Sequence, residues 1–210
     1  MIKILIADDH AIVREGMKQI LSESPDLVVV AEASTGQEVI DKIDKDDLDL
    51  VVLDIAMPGR GGLDILKEIK SLSPKLPVLI LSMYPEEQYA VRVLKSGASG
   101  YLTKESAPVE LVKAIRQISQ GKKYISPSLA EKLAVDLEIS PDRAPHETLS
   151  DREYQVMCMI ASGKTLKEIA DTLSLSIKTI STYRSRILEK MNMKTNAELT
   201  HYAIKNRLVE

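Results

Sequence analysis

Five short apolar runs, each followed by a helical pattern, constrain this chain more than any other feature of its sequence. They are Ile2–Ala7, Leu27–Glu32, Leu50–Leu53, Val78–Leu81 and Ser99–Leu102. They read as continuous buried runs rather than polar–apolar alternations, as expected of strands covered by helices on both faces of a parallel sheet. Between and after them, helical patterns fall at about 11–23, 35–44, 62–72, 86–96 and 107–120. Thr35-Gly36-Gln37-Glu38 supplies a capping box where the second of these begins. Five successive βα units predict an α/β, doubly wound, five-stranded parallel sheet. Function in such sheets gathers at the carboxyl ends of the strands.

The 210 residues leave room for a second domain. From Lys122 to Glu147 the pattern loosens. Pro127, Pro141 and Pro145 bracket a helix-like piece, Leu129–Leu137, and Ser140–His146 reads as a hinge. Four helical segments then follow closely. Three open with capping boxes: Ser150-Asp151-Arg152-Glu153, Thr165-Leu166-Lys167-Glu168 and Thr195-Asn196-Ala197-Glu198. The expected organisation is an α/β domain over 1–121, a linker over 122–147 and an all-α four-helix domain over 148–210.

Charge divides along the same line. From Thr148 onward there are ten Lys/Arg against seven Asp/Glu, whereas the whole chain carries a net charge of -3. A mildly basic C-terminal part on an acidic N-terminal part fits an anion-binding module joined to something else. Trp and Phe are absent, which argues against an aromatic-lined ligand pocket. The single Cys158 lies in an apolar helical stretch, where it reads as a small core residue. No apolar run approaches membrane length, and the N-terminal MIKILIADD reaches charge too early for a signal-peptide core. The expected location is the cytoplasm, with no membrane partner.

Asp8, Asp9, Asp54, Ser82 and Lys104 fall just beyond strand ends, and a doubly wound sheet brings all five to one edge. Clustered carboxylates open to water suit magnesium, which prefers oxygen ligands and retains several waters. A carboxylate there can attack phosphorus, with Lys104 and the Ser82 hydroxyl receiving the transferred oxygens. The run Met57-Pro58-Gly59-Arg60-Gly61-Gly62 lets the loop after Asp54 bend closely past the site. His10 flanks the cluster and reads as a helix-start residue.

In Ser176–Met191, Ile177, Ile180, Ile187, Leu188 and Met191 recur at helical spacing as a buried stripe. Ser181, Thr182 and Ser185 lie away from it, flanked by Lys178, Tyr183, Arg184 and Arg186. Small polar side chains between cations suit a helix entering a DNA major groove, the short ones meeting base edges and the cations meeting phosphates. The preceding Thr165–Leu173 helix and the short Ser174-Leu175 turn complete a helix-turn-helix, with a helix over 197–206 closing the unit.

Asp8-Asp9-His10, Val13-Arg14-Glu15-Gly16, Asp54 with Met57-Pro58-Gly59, Ser82, Gly97-Ala98, Gly100-Tyr101 and Lys104 resemble the receiver domain of bacterial two-component response regulators of the NarL/FixJ subfamily. Leu149–Glu153, Gly163-Lys164, Glu168-Ile169-Ala170, Leu173, Ser176, Lys178-Thr179-Ile180, Arg184, Ile187-Leu188 and Lys190-Met191 resemble the LuxR-type helix-turn-helix. Together the resemblance spans essentially the whole chain. It implies a flavodoxin-like receiver in which Asp54 is phosphorylated by a histidine kinase. It further implies magnesium held by Asp9, Asp54 and the backbone carbonyl of Ala56, with Asp8 assisting, and a switch pair of Ser82 and Tyr101. In the second domain it implies that Lys178–Arg186, Thr179 included, faces double-stranded DNA. The last helix would then serve a homodimer formed on phosphorylation, with RNA polymerase a further candidate partner. Many receivers place Pro after the lysine in a cis peptide. Glu105 stands here, where a cis bond would cost ~3–4 kcal/mol more than trans, so none is expected.

Two other classes compete with a transcription regulator. A phosphohydrolase with an aspartyl-phosphate intermediate commonly has a second acid two residues after its nucleophile, where this chain has Ala56. A small-molecule sensor should enclose an apolar pocket, whereas this chain places carboxylates at its strand ends. The expectation is a DNA-binding regulator rather than an enzyme.

Overall fold

The computed structural model describes residues 1–45, 47–57, 61–126, 129–130, 144–206 and 208–209. The chain divides into two compact units, Met1–Glu131 and Lys132–Glu210. The first contains strands β1 (Ile2–Ala7), β2 (Leu27–Ala33), β3 (Leu50–Asp54), β4 (Val78–Ser82) and β5 (Gly100–Thr103). These alternate with helices α1 (Ala11–Ser22), α2 (Gly36–Ile43), α3 (Gly62–Leu72), α4 (Glu86–Lys95) and α5 (Ala107–Ser119). The sheet is parallel throughout, in the order β2-β1-β3-β4-β5. Every strand was legible, with β2, β3 and β4 running one residue further than the apolar pattern, to Ala33, Asp54 and Ser82, and β5 shifted by one residue, to Gly100–Thr103.

Burial explains why the runs read as continuous. Ile4, Leu5, Ile6, Leu50, Val51, Val52, Leu53, Val78, Leu79 and Ile80 are all inaccessible to solvent, whichever face of the sheet they point to. Covering each such side chain contributes about 1.5–3 kcal/mol, so helices on both sides are obligatory. The order reverses at β1, with β2 on one side and β3 on the other. The crevice beyond the carboxyl ends of β1 and β3 is therefore the topological switch point.

The first unit also takes in residues beyond α5. Tyr124 pairs with Gly100 at the edge of β5 and is buried, and Leu129 is buried as well. The Ser126 hydroxyl donates to Glu86 Oε2 at the start of α4, at 2.5 Å. Gly100 permits this approach, since a Cβ there would stand 2.9 Å from Tyr124 Cβ. The helix-like piece at Leu129–Leu137 lies outside the described residues beyond Ala130, as does the proposed hinge before Ala144 and the stretch Pro58-Gly59-Arg60 of the loop after Asp54.

The described part of the second unit has a 3-10 turn, Pro145–Thr148, then α6 (Asp151–Ala161), α7 (Leu166–Leu173), α8 (Ile177–Lys190) and α9 (Asn196–Lys205). The capping boxes at Ser150 and Thr165 close fully. At Thr35 and Thr195 the threonine accepts from the glutamate N–H as expected, but the glutamate carboxylate reaches one residue further back, to the N–H of Ser34 or Lys194. Cys158 is buried in α6, as expected. Among the described residues no helix is long and apolar enough to cross a membrane.

Candidate functional site

Asp8 follows β1 directly, Asp54 and Ser82 end β3 and β4, and Lys104 follows β5. The Lys104 N–H donates to the Ser82 carbonyl at 2.7 Å and the Ile55 N–H to the Leu81 carbonyl at 3.1 Å, so ladder bonds continue to the site and set its register. Asp8, Asp54 and Ser82 are 0% exposed. Lys104 Nζ lies 2.6 Å from Asp8 Oδ2 and 2.8 Å from Asp54 Oδ2, with its side chain 10% exposed. Four of the five predicted positions thus form one buried cluster. The fifth, Asp9, stands at its mouth, partly open to solvent.

Each carboxylate is held from behind by backbone. Asp8 Oδ1 accepts from the His10 N–H at 2.8 Å, and Asp54 Oδ1 accepts from the Ala56 N–H at 2.9 Å. His10 is the N-cap residue of α1, as read, and its Nδ1 lies 3.0 Å from Asp9 Oδ1. Burial pushes the Asp54 carboxyl above its ordinary range, against the opposing pull of Lys104. Burial alone would lower Lys104, but Asp54 and Asp8 outweigh it and hold the ammonium above the usual lysine range.

The donor set fits a hard divalent cation. One oxygen each from Asp8, Asp9 and Asp54, with a His10 nitrogen, lie within 4.8 Å of one another. Asp8 Oδ2 and Asp9 Oδ1 are buried with no hydrogen-bond donor in line among the described residues, their charged neighbours being Lys104 and His10. Three carboxylates against one ammonium leave an excess of negative charge that a divalent ion would offset. The three carboxylates suit magnesium better than the imidazole does, since that ion takes oxygen ligands.

Gly62 shapes the loop over this cluster. A Cβ at Gly62 would meet Ile55 Cα at 2.5 Å and the Asp54 carbonyl at 2.9 Å, so no side chain is tolerated where α3 begins. Around Ser82 the backbone of Tyr84 forms a bridge. The Tyr84 N–H donates to Ser82 Oγ at 3.0 Å, and its carbonyl accepts from the Tyr101 hydroxyl at 2.8 Å. Tyr101 is buried, which drives its hydroxyl pKa well up, with the nearby Ser82 hydroxyl working the other way. All peptide bonds of the described residues are trans, Lys104–Glu105 included.

Two contributors escaped sequence reasoning. Arg14 on α1 donates from Nη1 to the Asp8 carbonyl at 2.7 Å and from Nε to Glu32 Oε2 at 3.1 Å, pinning the acidic turn to the end of β2. Tyr84 acts through its backbone. Neither role has a local sequence signal: the Arg14 partners lie 6 and 18 residues away, and Tyr84 joins Ser82 to Tyr101, 17 residues on, through backbone groups that every residue carries.

In the second unit, Ile180, Ile187, Leu188 and Met191 are buried as the stripe required. Ile177 is not: it is 51% exposed. Lys178, Ser181, Thr182, Ser185 and Arg186 are exposed, while Thr179, Tyr183 and Arg184 are half-buried. The Thr182 and Ser185 hydroxyls donate back to the carbonyls of Lys178 and Ser181 at 3.0 and 3.1 Å, which turns their lone pairs outward. Thr179 is engaged with the cap, its N–H donating to Ser176 Oγ at 3.0 Å. Arg184 Nε donates to Asn196 Oδ1 at 2.6 Å, tying α8 to the start of α9.

The tight turn before α8 rests on Ser174, whose left-handed φ of 53° reverses the chain, with the Leu175 N–H bonded to the Ala170 carbonyl at 2.9 Å. Sequence reasoning also missed that Glu153, beyond its capping role, accepts from Lys190 Nζ at 2.6 Å and so locks α6 to the end of α8. The ammonium and the Ser150 N–H overcome the effect of burial and hold the Glu153 carboxyl below its usual range.

Residues 4–116 match the response regulator receiver domain, and residues 147–203 match the luxR family of bacterial regulatory proteins. The "Response regulator UvrY" of Escherichia coli (strain K12) is 38% identical over 210 residues, spanning 99% of this chain and 96% of that protein. The "Oxygen regulatory protein NreC" of Staphylococcus epidermidis is 38% identical over 216 residues, spanning 99% of each. Among solved structures, the RcsB response regulator of Salmonella typhimurium superposes with a TM-score of 0.68 at 28% identity, covering 98% of both chains. A structure of an RcsB–DNA complex superposes with a TM-score of 0.60 at 30% identity, covering 96% of both.

Proposed function

Since this chain belongs to the NarL/FixJ family of two-component response regulators, with a receiver and a LuxR-type DNA-binding domain, we propose that Asp54 is its phosphoacceptor and that acceptance controls DNA binding and transcription. The observation that carries this is the placement of Asp54. It is the carboxylate at the centre of the cluster, anchored by the Ala56 N–H on one oxygen and by Lys104 on the other. The donor is a histidine kinase. An Asp54 oxygen forms the new P–O bond as the P–N bond to the kinase histidine breaks, the electron pair remaining on the imidazole.

Asp8, Asp9, Asp54 and the Ala56 carbonyl would hold magnesium, which when bound neutralises charge on the incoming phosphoryl group. Lys104 exchanges its contact with the Asp54 carboxylate for the transferred oxygens, keeping an ammonium beside developing negative charge. Ser82 turns its hydroxyl to a phosphoryl oxygen and so releases the Tyr84 N–H. That release passes through Tyr84 to Tyr101, which is the switch. In the second domain Lys178, Tyr183, Arg184 and Arg186 meet phosphates, and Thr179, Ser181, Thr182 and Ser185 line the groove of double-stranded DNA. A phosphorylated homodimer presents two such helices, and RNA polymerase is then within reach. The protein is a cytoplasmic regulator of transcription rather than a metabolic enzyme, with domains over 1–121 and 148–210 joined by 122–147.

The test is labelling by a phosphorylated kinase or a small acyl phosphate. Wild-type protein should label in magnesium and not in chelator, and Asp54→Asn should not label. Full labelling of Asp54→Asn would overturn the assignment.

A further inference from the structure

At the opposite end of the sheet from Asp54 lies a cleft of about 390 Å³ between the ends of α3 and α5 and the entries to β4 and β5. Four lysines line it: Lys70, Lys75, Lys122 and Lys123. No carboxylate lines it, and none of the four is ion-paired among the described residues. So dense a set of like charges is unusual on a unit that carries the acidic half of the chain.

Two of the ammonium groups are held in place. Lys70 Nζ donates to the Leu76 carbonyl at 2.6 Å, and Lys123 Nζ donates to the Ala98 carbonyl. An ammonium has three N–H donors, so each keeps two for another acceptor. Gly97 makes room for this arrangement. It sits at φ +101°, and a Cβ there would stand 3.3 Å from Lys70 Cγ. Burial, and then the Lys123 charge, keep the Lys70 ammonium below the usual lysine range. The cost of holding these charges together is one that a bound anion would relieve.

We propose that this cleft binds a small organic diphosphate, its two linked phosphoryl groups meeting Lys70 and Lys123 and its body lying against Pro74 and Pro77. The size favours this over inorganic phosphate. At about 390 Å³ the cleft falls in the range of small-molecule sites and exceeds what one phosphoryl group fills. The apolar wall suits an organic body, since small-molecule sites pair apolar surface with few fixed polar groups.

Calorimetric titration of the full-length protein with ADP and with inorganic pyrophosphate tests this. It is done in chelator, so that no divalent ion can hold the probe at the acidic cluster. One saturable site is expected for ADP, weakened tenfold or more in Lys70→Met and in Lys123→Met, which keep much of the apolar stem. Because Lys70 packs on Gly97, the exposed Lys122→Gln provides a second route, with a smaller loss expected. Unchanged phosphoryl labelling of Asp54 in all three variants establishes that the receiver is folded and separates this site from the phosphoacceptor. No saturable binding up to millimolar ADP, or equal affinity in the lysine variants, would overturn the proposal. So would inorganic phosphate or sulfate binding as tightly as ADP. Loss of duplex DNA affinity in Lys70→Met with no ADP binding would instead make the cleft a track for DNA backbone, and the proposal would fail.

Discussion

Ser82 and Tyr101 are coupled through the backbone of one residue, Tyr84, whose N–H donates to the Ser82 hydroxyl and whose carbonyl accepts from the Tyr101 hydroxyl. Neither side chain can change partner without disturbing the other. Ser82 touches the acidic cluster through the Lys104 backbone, while Tyr101 reaches the loop before α4, so this one residue joins the site to the face that begins at Glu86. Tyr101→Phe removes the bond to the Tyr84 carbonyl, a loss of about 1 kcal/mol. Phosphoryl labelling of Asp54 should be retained in this variant, while the gain in DNA affinity on phosphorylation should shrink. Ser82→Ala should slow labelling itself. Equal labelling rates for Ser82→Ala and wild type would break the link.

Lys104→Met leaves Asp8 and Asp54 buried without their cation, a change that typically costs about 3–5 kcal/mol. Its pH dependence has a defined sign. Asp54 is already raised above its ordinary value, so the folded state binds a proton more tightly than the unfolded chain. Stability from this group therefore falls as pH rises from about 3.8 through the folded pKa. Removing Lys104 raises that pKa further. The deficit of Lys104→Met should be small near pH 4, grow towards pH 7.5, and narrow on adding magnesium. Urea unfolding at both pH values, with and without the metal, reads this. A deficit independent of pH and metal would contradict it.

Gly62→Ala is predicted to act on the site through backbone alone. A methyl group 2.5 Å from Ile55 Cα must displace the turn after Asp54, at about 1–3 kcal/mol. Labelling should fall with stability. Magnesium affinity, followed by titration, should fall too, since Asp54 and Ala56 lie on the displaced segment. A variant with wild-type stability would show that the turn yields freely.

How legible was all this beforehand? The five strands were visible because burial on both faces leaves no polar interruption, and the carboxylates were visible because they end those runs. Where the chain reads its own neighbours, as at Ser150 and Glu153, local pattern was sufficient. It failed where a partner lies across the fold: Arg14 on the Asp8 carbonyl, the Tyr84 bridge, Lys190 on Glu153. It also placed Ile177 in the buried stripe, because helical spacing alone does not reveal which turns of a helix are covered.

The Glu153–Lys190 pair gives the DNA-binding domain its own acid sensitivity. The Glu153 pKa is lowered in the folded state, so its contribution is present above about 4.5 and is lost as pH falls through the folded value. Glu153→Gln should cost about 1.5–3 kcal/mol at pH 7, and the difference from wild type should close below pH 4. Thermal melts across that range check it, and a difference that widens on acidification would be the wrong sign.

On DNA, Lys178→Ala or Arg186→Ala should weaken binding to all sequences and lower the salt slope by about one. Thr182→Ala should instead change which sequence is preferred, by about 1–3 kcal/mol per base contact. Because its hydroxyl donates to Lys178, it offers bases an acceptor, so preference should shift at pairs presenting an amino group there. A salt titration of Lys178→Ala that superposes on wild type would remove that residue from the interface.

The most direct measurement is a binding titration on one operator with unmodified protein, protein phosphorylated on Asp54, and the isolated 148–210 fragment. If phosphorylation of Asp54 controls DNA binding, phosphorylated protein binds more tightly than unmodified protein, and the fragment binds without phosphorylation. Equal affinity per site for all three would contradict control of the single-site affinity by Asp54 and leave pairing or polymerase contact as the regulated step.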